Sequence, residues 1–302
     1  MSNPHRFMPV VAILLLSSIW GYNWVVMKLA LRFMGPFDFN AVRMVLGALV
    51  LMGFMLWKGI SLRPGNVLLT LLLGISQGAA GTGLILWALV SGGAGKTAIL
   101  VYAMPFWIMI LAWVFLGEKI RGLYWLPVIA SVAGLFFLLE PWSLHGSFFS
   151  KVLAVVAGVF WAVGAILIKM LQEKPDFDLV SVTTWQTAFA ALPLTVAAVL
   201  IPSRPVEWTP FLMGAMAYNG IVVCAAAFLL WTYVIRKLPA GIGGMGLLAT
   251  PIIGMASAWI QLGEHINRWE AVGIVLLLSA LAFLTCLRAR ENRRVVPMIV
   301  QE

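Results

Sequence analysis

Charge is what this sequence has least of. Only 10% of its 302 residues are Asp, Glu, Lys or Arg, against about 25% in soluble domains. Hydrophobic residues make up 62%, and the mean hydropathy is +1.00. A soluble core of this composition would have nothing with which to cover its surface. Acid is scarcer still: all eleven Asp and Glu residues, from Asp38 to Glu302, lie at the ends of apolar runs, between runs or in the C-terminal tail. A carrier that exchanges protons for lipophilic cations needs a carboxylate deep in a helix, where it holds proton and cargo in turn. Its absence argues against that chemistry and leaves facilitated diffusion as the simplest way of moving a solute, with coupling through Glu118 or Glu264 as the alternative. The two cysteines, Cys224 and Cys286, sit in separate apolar runs and suggest packing rather than a disulfide framework. The three histidines, His5, His145 and His265, have no ligand spacing, so no metal centre, cofactor or catalytic residue is expected. The formal charge of +9 is strung between apolar runs rather than gathered on one patch, which points to membrane orientation and away from nucleic acid.

Long apolar runs are what the sequence does have. Met8 to Met27 carries no charge, and about 20 residues at ~1.5 Å each cover the ~30 Å hydrocarbon core. It continues through Trp20, Tyr22 and Trp24 without a small-residue cleavage site, which reads as a retained helix rather than a signal peptide. Further spans are expected at about Phe39 to Trp57, Val67 to Val90, Thr97 to Leu116, Leu123 to Leu139, Phe148 to Ile168, Leu179 to Ile201, Phe211 to Ile235, Ala240 to Leu262 and Trp269 to Leu287. The fold class is therefore an all-α integral membrane protein with ten transmembrane helices. Short connections carry the breakers Gly35-Pro36, Arg63-Pro64-Gly65, Ser91-Gly92-Gly93, Pro202 with Pro205, and Lys237-Leu238-Pro239. With ten spans both termini share a side. That side collects Arg6, Lys58, Arg63, Lys119, Arg121, Lys174, Arg236, Lys237 and the tail arginines, against Arg32, Lys96, Lys151, Arg204 and Arg268 opposite, so the positive-inside rule puts both termini in the cytoplasm.

One stretch occurs twice. Pro105, Ala112, Trp113, Leu116, Gly117, Glu118 and Ile120 return 146 residues later as Pro251, Ala258, Trp259, Leu262, Gly263, Glu264 and Ile266. Trp20 and Lys28 are echoed by Trp161 and Lys169, and Leu86-Trp87 by Leu230-Trp231. The chain divides into a first repeat over 1–142, a second over 143–287 and a basic cytoplasmic tail over 288–302, exposed and partly disordered. Each repeat has five spans, an odd number, so the two enter the membrane from opposite faces as inverted repeats with a binding site at their interface.

These residues resemble the drug/metabolite transporter superfamily, in its ten-helix EamA-like branch. The resemblance covers nearly the whole chain: Trp20-Gly21, Asn23 and Lys28 in the first span, Arg43 in the second, and the Pro to Gly-Glu stretch in the fourth and ninth. Gly95-Lys96-Thr97-Ala98-Ile99-Leu100-Val101 with Met104-Pro105-Phe106-Trp107 looks most like the bacterial amino-acid exporters, including those moving aromatic amino acids. What the resemblance implies is an inner-membrane exporter of amino acids or related small metabolites, acting without a cofactor as a monomer in the bilayer. The second copy departs from the first, with Ala162 at the Gly21 position and Gly164 at the Asn23 position, so any role of Asn23 is one-sided.

Candidate site residues follow from the cost of polar groups in hydrocarbon. Asn23, Gln77, Gln186 and Asn219 lie within spans in aromatic company, respectively Tyr22 and Trp24, Trp87, Trp185 and Tyr218; Thr82, Thr250 and Gln261 are further polar positions. The alternative for each is an interhelical hydrogen bond worth about 0.6 kcal/mol. Among the fourteen Trp, those at span ends fit the aromatic belt, whereas Trp20, Trp87, Trp107, Trp113, Trp161, Trp231 and Trp259 are deeper and, with Tyr102, could wall a cavity that takes apolar side chains and attracts an ammonium group. Arg43 can grip a carboxylate bidentately. Pro105 and Pro251 would free carbonyls in mid-helix for gating, and Lys28 and Lys169 are either snorkelling or gating residues. Gly241, Gly243 and Gly246 match a dinucleotide-binding pattern without a preceding strand, so close helix packing is their reading; Gly95-Lys96-Thr97 lacks the first glycine of a phosphate loop, so no nucleotide hydrolysis is implied. Other readings remain: export of a nucleoside, sugar derivative or neutral drug; a membrane lipid enzyme, which lacks a constellation to run it; and a structural scaffold.

Overall fold

The computed structural model describes residues 4–117, 119–142, 148–237 and 240–299, and every regular element among them is helical. The ten expected spans are Pro4–Ala30, Pro36–Lys58, Val67–Ser91, Ala94 to Leu116, Trp125–Leu139, Phe148–Gln172, Leu179–Leu200, Pro210 to Lys237, Ala240–Leu262 and Arg268–Ile299. Nine of them contain a stretch long and apolar enough to cross a membrane among the described residues. The ninth, 23 residues long, starts among residues whose side chains lie outside the description, as do Glu118 and the Leu238-Pro239 connection. The tenth helix continues past Leu287, through the segment expected as a tail, to Ile299.

The ends follow local chemistry. Pro36 starts the second span, where its missing N–H is no loss, and Gly59 stops it in the left-handed conformation at φ 66°, its N–H closing on Leu56 O. Asn66, Asp178 and Thr209 cap the third, seventh and eighth spans by accepting the N–H groups of Leu69, Ser181 and Leu212. The third and eighth spans each widen into a π-helical segment, Gly74–Gly81 and Tyr218–Ala227, that begins 144 residues apart in the two halves. Such segments leave room for side chains at a functional site, and no hydropathy pattern announced them.

Packing repeats the duplication. The first span lies along the ninth, as the sixth lies along the fourth; the second packs on the seventh and the fifth on the tenth; the second meets the π-helical part of the eighth as the seventh meets that of the third. Five spans per half, joined by short connections, make the second half an inverted copy of the first. Their interface is where the core lies, with Met44, Leu86, Leu100 and Ile168 all but fully buried.

The face opposite the termini is tied by buried charges. Lys151 Nζ binds Glu140 Oε2 at 2.6 Å and approaches Glu270 Oε1 at 3.5 Å, Lys96 Nζ binds Glu270 Oε1 at 2.8 Å, and Asn267 Nδ2 donates to Glu140 Oε1 at 2.9 Å. Burial raises the Glu140 pKa, but the bonds from Lys151 and Asn267 and the charges of Lys151 and Lys96 outweigh it and hold the carboxyl below the usual range. On the same face, Glu264 accepts the Ala94 and Gly95 N–H groups at the start of the fourth span, a helix N-terminus that favours a carboxylate.

Candidate functional site

A cavity of about 630 Å³, counted out to its mouth, lies between the halves. The first span contributes Trp20, Asn23, Trp24 and Met27, spaced so that all four share one helical face. Arg43 of the second span, Thr82 and Ile85 of the third, Val101, Tyr102 and Met104 of the fourth, Trp161 of the sixth, and Val223, Cys224 and Phe228 of the eighth complete the wall. Trp20 and Trp161, equivalent in the two repeats, meet edge to face with centroids 5.5 Å apart; Phe228 lies 6.1 Å from Trp20 and 6.2 Å from Trp161.

Arg43 is the one charged residue on this wall among the described residues and is only 3% exposed. Its Nε donates to Asn40 Oδ1 at 2.8 Å and its Nη1 to Asn219 Oδ1 at 3.0 Å. Asn40 lies one helical turn before Arg43 and its Nδ2 donates to Thr82 Oγ1 at 2.9 Å; Asn219 Nδ2 is fixed on Ala215 O at 3.0 Å. The guanidinium is thus held by amides from two other positions, and among the described residues no carboxylate lies within ion-pair distance of it. A buried cation without a counterion is costly unless a ligand supplies one. Asn23, 3% exposed on the same wall, has no hydrogen-bond partner for its Oδ1. The Tyr102 hydroxyl faces Thr250 of the ninth span.

The fourth span breaks beside the cavity. Its helix stops at Val101, turns through Tyr102 and Ala103, and restarts at Met104 with Pro105 in the first turn. Pro105 has no N–H to give back, so the Val101 carbonyl is freed, as the proline predicts. It rests on Gly158 of the sixth span, where a Cβ would come within 3.0 Å of the Val101 oxygen. Pro251, its equivalent, is buried inside an unbroken helix.

Of the sequence candidates, Trp20, Asn23, Trp24, Arg43, Tyr102 and Trp161 come together at the cavity. Asn219 stands behind Arg43, and Trp231 stands behind Trp20 at 5.6 Å. The others lie elsewhere, because which side of an apolar helix faces inward is decided by packing and not by its hydropathy. Trp87 is 42% exposed, between Phe37 and Phe149. Tyr22, also 42% exposed, reaches Gln261. Trp107 is half-buried at the edge of the core, and Trp185 packs on Phe189. Gln186 Nε2 donates to Gln77 Oε1 at 2.8 Å off the cavity wall, and the Tyr218 hydroxyl donates to Ile19 O at 2.9 Å. Lys28 Nζ donates to the carbonyls of Leu89 at 2.6 Å and Gly92 at 2.9 Å, closing the C-terminus of the third span. Lys169 is exposed near the end of the sixth span. Sequence reasoning missed Asn40, whose signal is its i, i+3 spacing to Arg43, and the apolar lining from Met27 to Phe228, which carries none.

Relatives fit this architecture. The Bacillus subtilis protein named "Uncharacterized transporter YoaV" is 25% identical over 274 residues, covering 89% of this chain and 93% of its own length. A "Probable amino-acid metabolite efflux pump" of Salmonella typhimurium is 25% identical over 283 residues, covering 89% and 91%. The Escherichia coli "Uncharacterized inner membrane transporter YedA" is 23% identical over 279 residues, covering 90% of each. A crystal structure shares the fold with a TM-score of 0.64 at 18% identity, covering 93% of this chain and 97% of that one. Residues 7–140 and again 149–286 match the EamA-like transporter family, and with both five-span halves accounted for, the chain belongs to that family of membrane transporters.

Proposed function

We propose that this transporter exports amino acids or related small metabolites across the cell inner membrane, with both termini cytoplasmic, through a cavity exposed to each side in turn. The observation that carries this reading is the cavity at the interface of inverted repeats, where aromatic walls surround a buried guanidinium without a counterion and an unpartnered amide. An apolar side chain fits the Trp20, Trp161 and Phe228 surfaces, a carboxylate fits Arg43, and a wall with so few polar groups favours breadth over strict selection. The efflux-pump name of the Salmonella relative agrees with this. One chain supplies both halves of the cavity, so a monomer suffices. Among the described residues no acidic side chain lies on the wall, which favours movement down the solute's own gradient.

Reconstitution in liposomes tests the reading. Uptake of labelled Thr, Met and Phe above that of empty liposomes, with or without an imposed proton gradient, is the expected result. No uptake of any of the three under either condition would remove the amino-acid assignment.

A further inference from the structure

The cavity is unevenly equipped for the two ends of an amino acid. A guanidinium carries five N–H donors. Arg43 commits its Nε to Asn40 and its Nη1 to Asn219, with Met27 Sδ 3.2 Å from Nη1, while Nη2 makes no hydrogen bond among the described residues. A positive charge and a free donor edge therefore face whatever enters. For an ammonium group the provision is poorer. It brings three donors, yet the open side-chain acceptor on the wall is Asn23 Oδ1. Among the described residues no Asp or Glu lines the cavity to balance it. Two cations confined in one small apolar space repel far more strongly than in water. A carboxylate entering alone makes the cavity neutral, whereas a zwitterion leaves the net charge of +1 in place.

The remaining wall sets the body of the ligand. Trp20, Trp161 and Phe228 present ring surfaces and, with Ile85 and Val223 on the same wall, offer little to a sugar or a polar side chain. We propose that the free carboxylate is the obligatory feature of the ligand and the amino group is dispensable. The protein then takes apolar monocarboxylates, the deaminated counterparts of aromatic and branched-chain amino acids, at least as well as the amino acids themselves. This rests on the reading of the cavity as the transport site. Arg43 is the residue that reads the carboxylate, and Asn40 and Asn219 are positioning residues that hold its plane.

The test is binding of four ligands to the purified full-length protein in detergent at neutral pH, by isothermal titration: 3-phenylpropionate, 4-methylpentanoate, phenylalanine and 2-phenylethylamine. The expected result is that 3-phenylpropionate binds at least as tightly as phenylalanine and 2-phenylethylamine about tenfold or more weakly, the loss of one charged hydrogen-bonded contact. Arg43→Gln abolishes the preference for acid over amine, and Arg43→Lys, which keeps the charge without the fork, retains part of it. Should Arg43→Gln fail to fold, the wild-type panel still decides. Equal binding of the amine and the acid overturns the proposal, as does binding of phenylalanine without 3-phenylpropionate; in the latter case liposome uptake of amino acids persists and the transport reading stands. An unchanged acid preference in a folded Arg43→Gln protein also overturns it. If no ligand binds and liposome uptake is absent as well, both readings fall together.

Discussion

Trp20 and Trp161 hold equivalent positions in the two repeats and touch each other, ring centroids 5.5 Å apart at 80°. The pseudo-two-fold axis relating the halves therefore runs through the aromatic wall of the cavity, and any rocking of one half on the other changes this contact. Replacing both residues by leucine is expected to cut uptake by about tenfold, the loss of roughly 1.4 kcal/mol of aromatic contact, with insertion unchanged. Trp107→Phe, at the edge of the core and off the cavity wall, is expected to change uptake by less than about twofold. Uptake rates normalised to protein in the liposomes check both.

Arg43 and Gln186 are also equivalents, 143 residues apart, and each reaches into a π-helical segment: Arg43 to Asn219 of the eighth span, Gln186 to Gln77 of the third. One half uses this cross-link to hold a charge at the cavity and the other to join two helices. Asn219→Ala is expected to raise KM several-fold with little change in the maximal rate, since it loosens the group proposed to hold the substrate carboxylate. Gln186→Ala is expected to leave KM unchanged and to cost about 1–3 kcal/mol of stability, because Gln77 is left buried without its partner. Uptake kinetics and thermal unfolding of the same two variants separate the roles.

The ten spans, the duplication and the Asn23 and Arg43 positions on the cavity wall were legible because each rests on a quantity the sequence carries: run length, identity at a fixed offset, or the cost of an amide or guanidinium in hydrocarbon. What was not legible is rotation. Trp87 and Trp231 are sequence equivalents, yet one is 42% exposed and the other is buried against Trp20. Lipid and protein core are both apolar, so hydropathy cannot tell an outward Trp from an inward one. Glu140 and Lys151 show the same limit. Their places at span ends suggest solvated charges, but Glu140 closes the fifth span in a left-handed turn at φ 49° that points it back under the sixth and tenth.

The Glu140 carboxyl predicts a pH effect with a definite sign. Its folded pKa is depressed below the usual 4.5. A depressed acid stabilises the fold above the unfolded value, and that contribution is lost as pH falls through the folded value. Thermal stability in detergent is therefore expected to fall on acidification below about pH 4.5. Glu140→Gln is expected to be less stable at pH 7 by about 1–3 kcal/mol and to lose less on the same acidification.

The sixth span must approach the third closely at Gly164, where a Cβ would come within 2.5 Å of Gln77 Cβ. Asn23 is the equivalent residue in the first span, so the close approach on one side and the cavity amide on the other explain why the two copies diverge here. Gly164→Ala is expected to cost about 1–3 kcal/mol by overpacking and to disturb the Gln77 to Gln186 bond, a loss that thermal unfolding would detect.

One face of the protein carries ionic ties between the halves. Glu140, Lys151 and Glu270 join the fifth, sixth and tenth spans on the face opposite the termini. Their equivalents in the repeated frame are Cys286, Val10 and Tyr124, which cannot form ion pairs. This triad thus has no ionic copy in the other half, and the empty protein is expected to rest with the ionically tied face shut. Cys224 on the cavity wall is a built-in reporter. In a Cys286→Ala background, a membrane-impermeant thiol reagent should label Cys224 faster from the face bearing the termini than from the tied face. Glu270→Gln removes the partner of Lys96 and one partner of Lys151. Losing about 1.4 kcal/mol of closure is a tenfold change in population, so labelling from the tied face should rise by about that factor while labelling from the other face falls. Equal labelling from both faces in the parent protein would show that the ties hold helices together without setting the resting state.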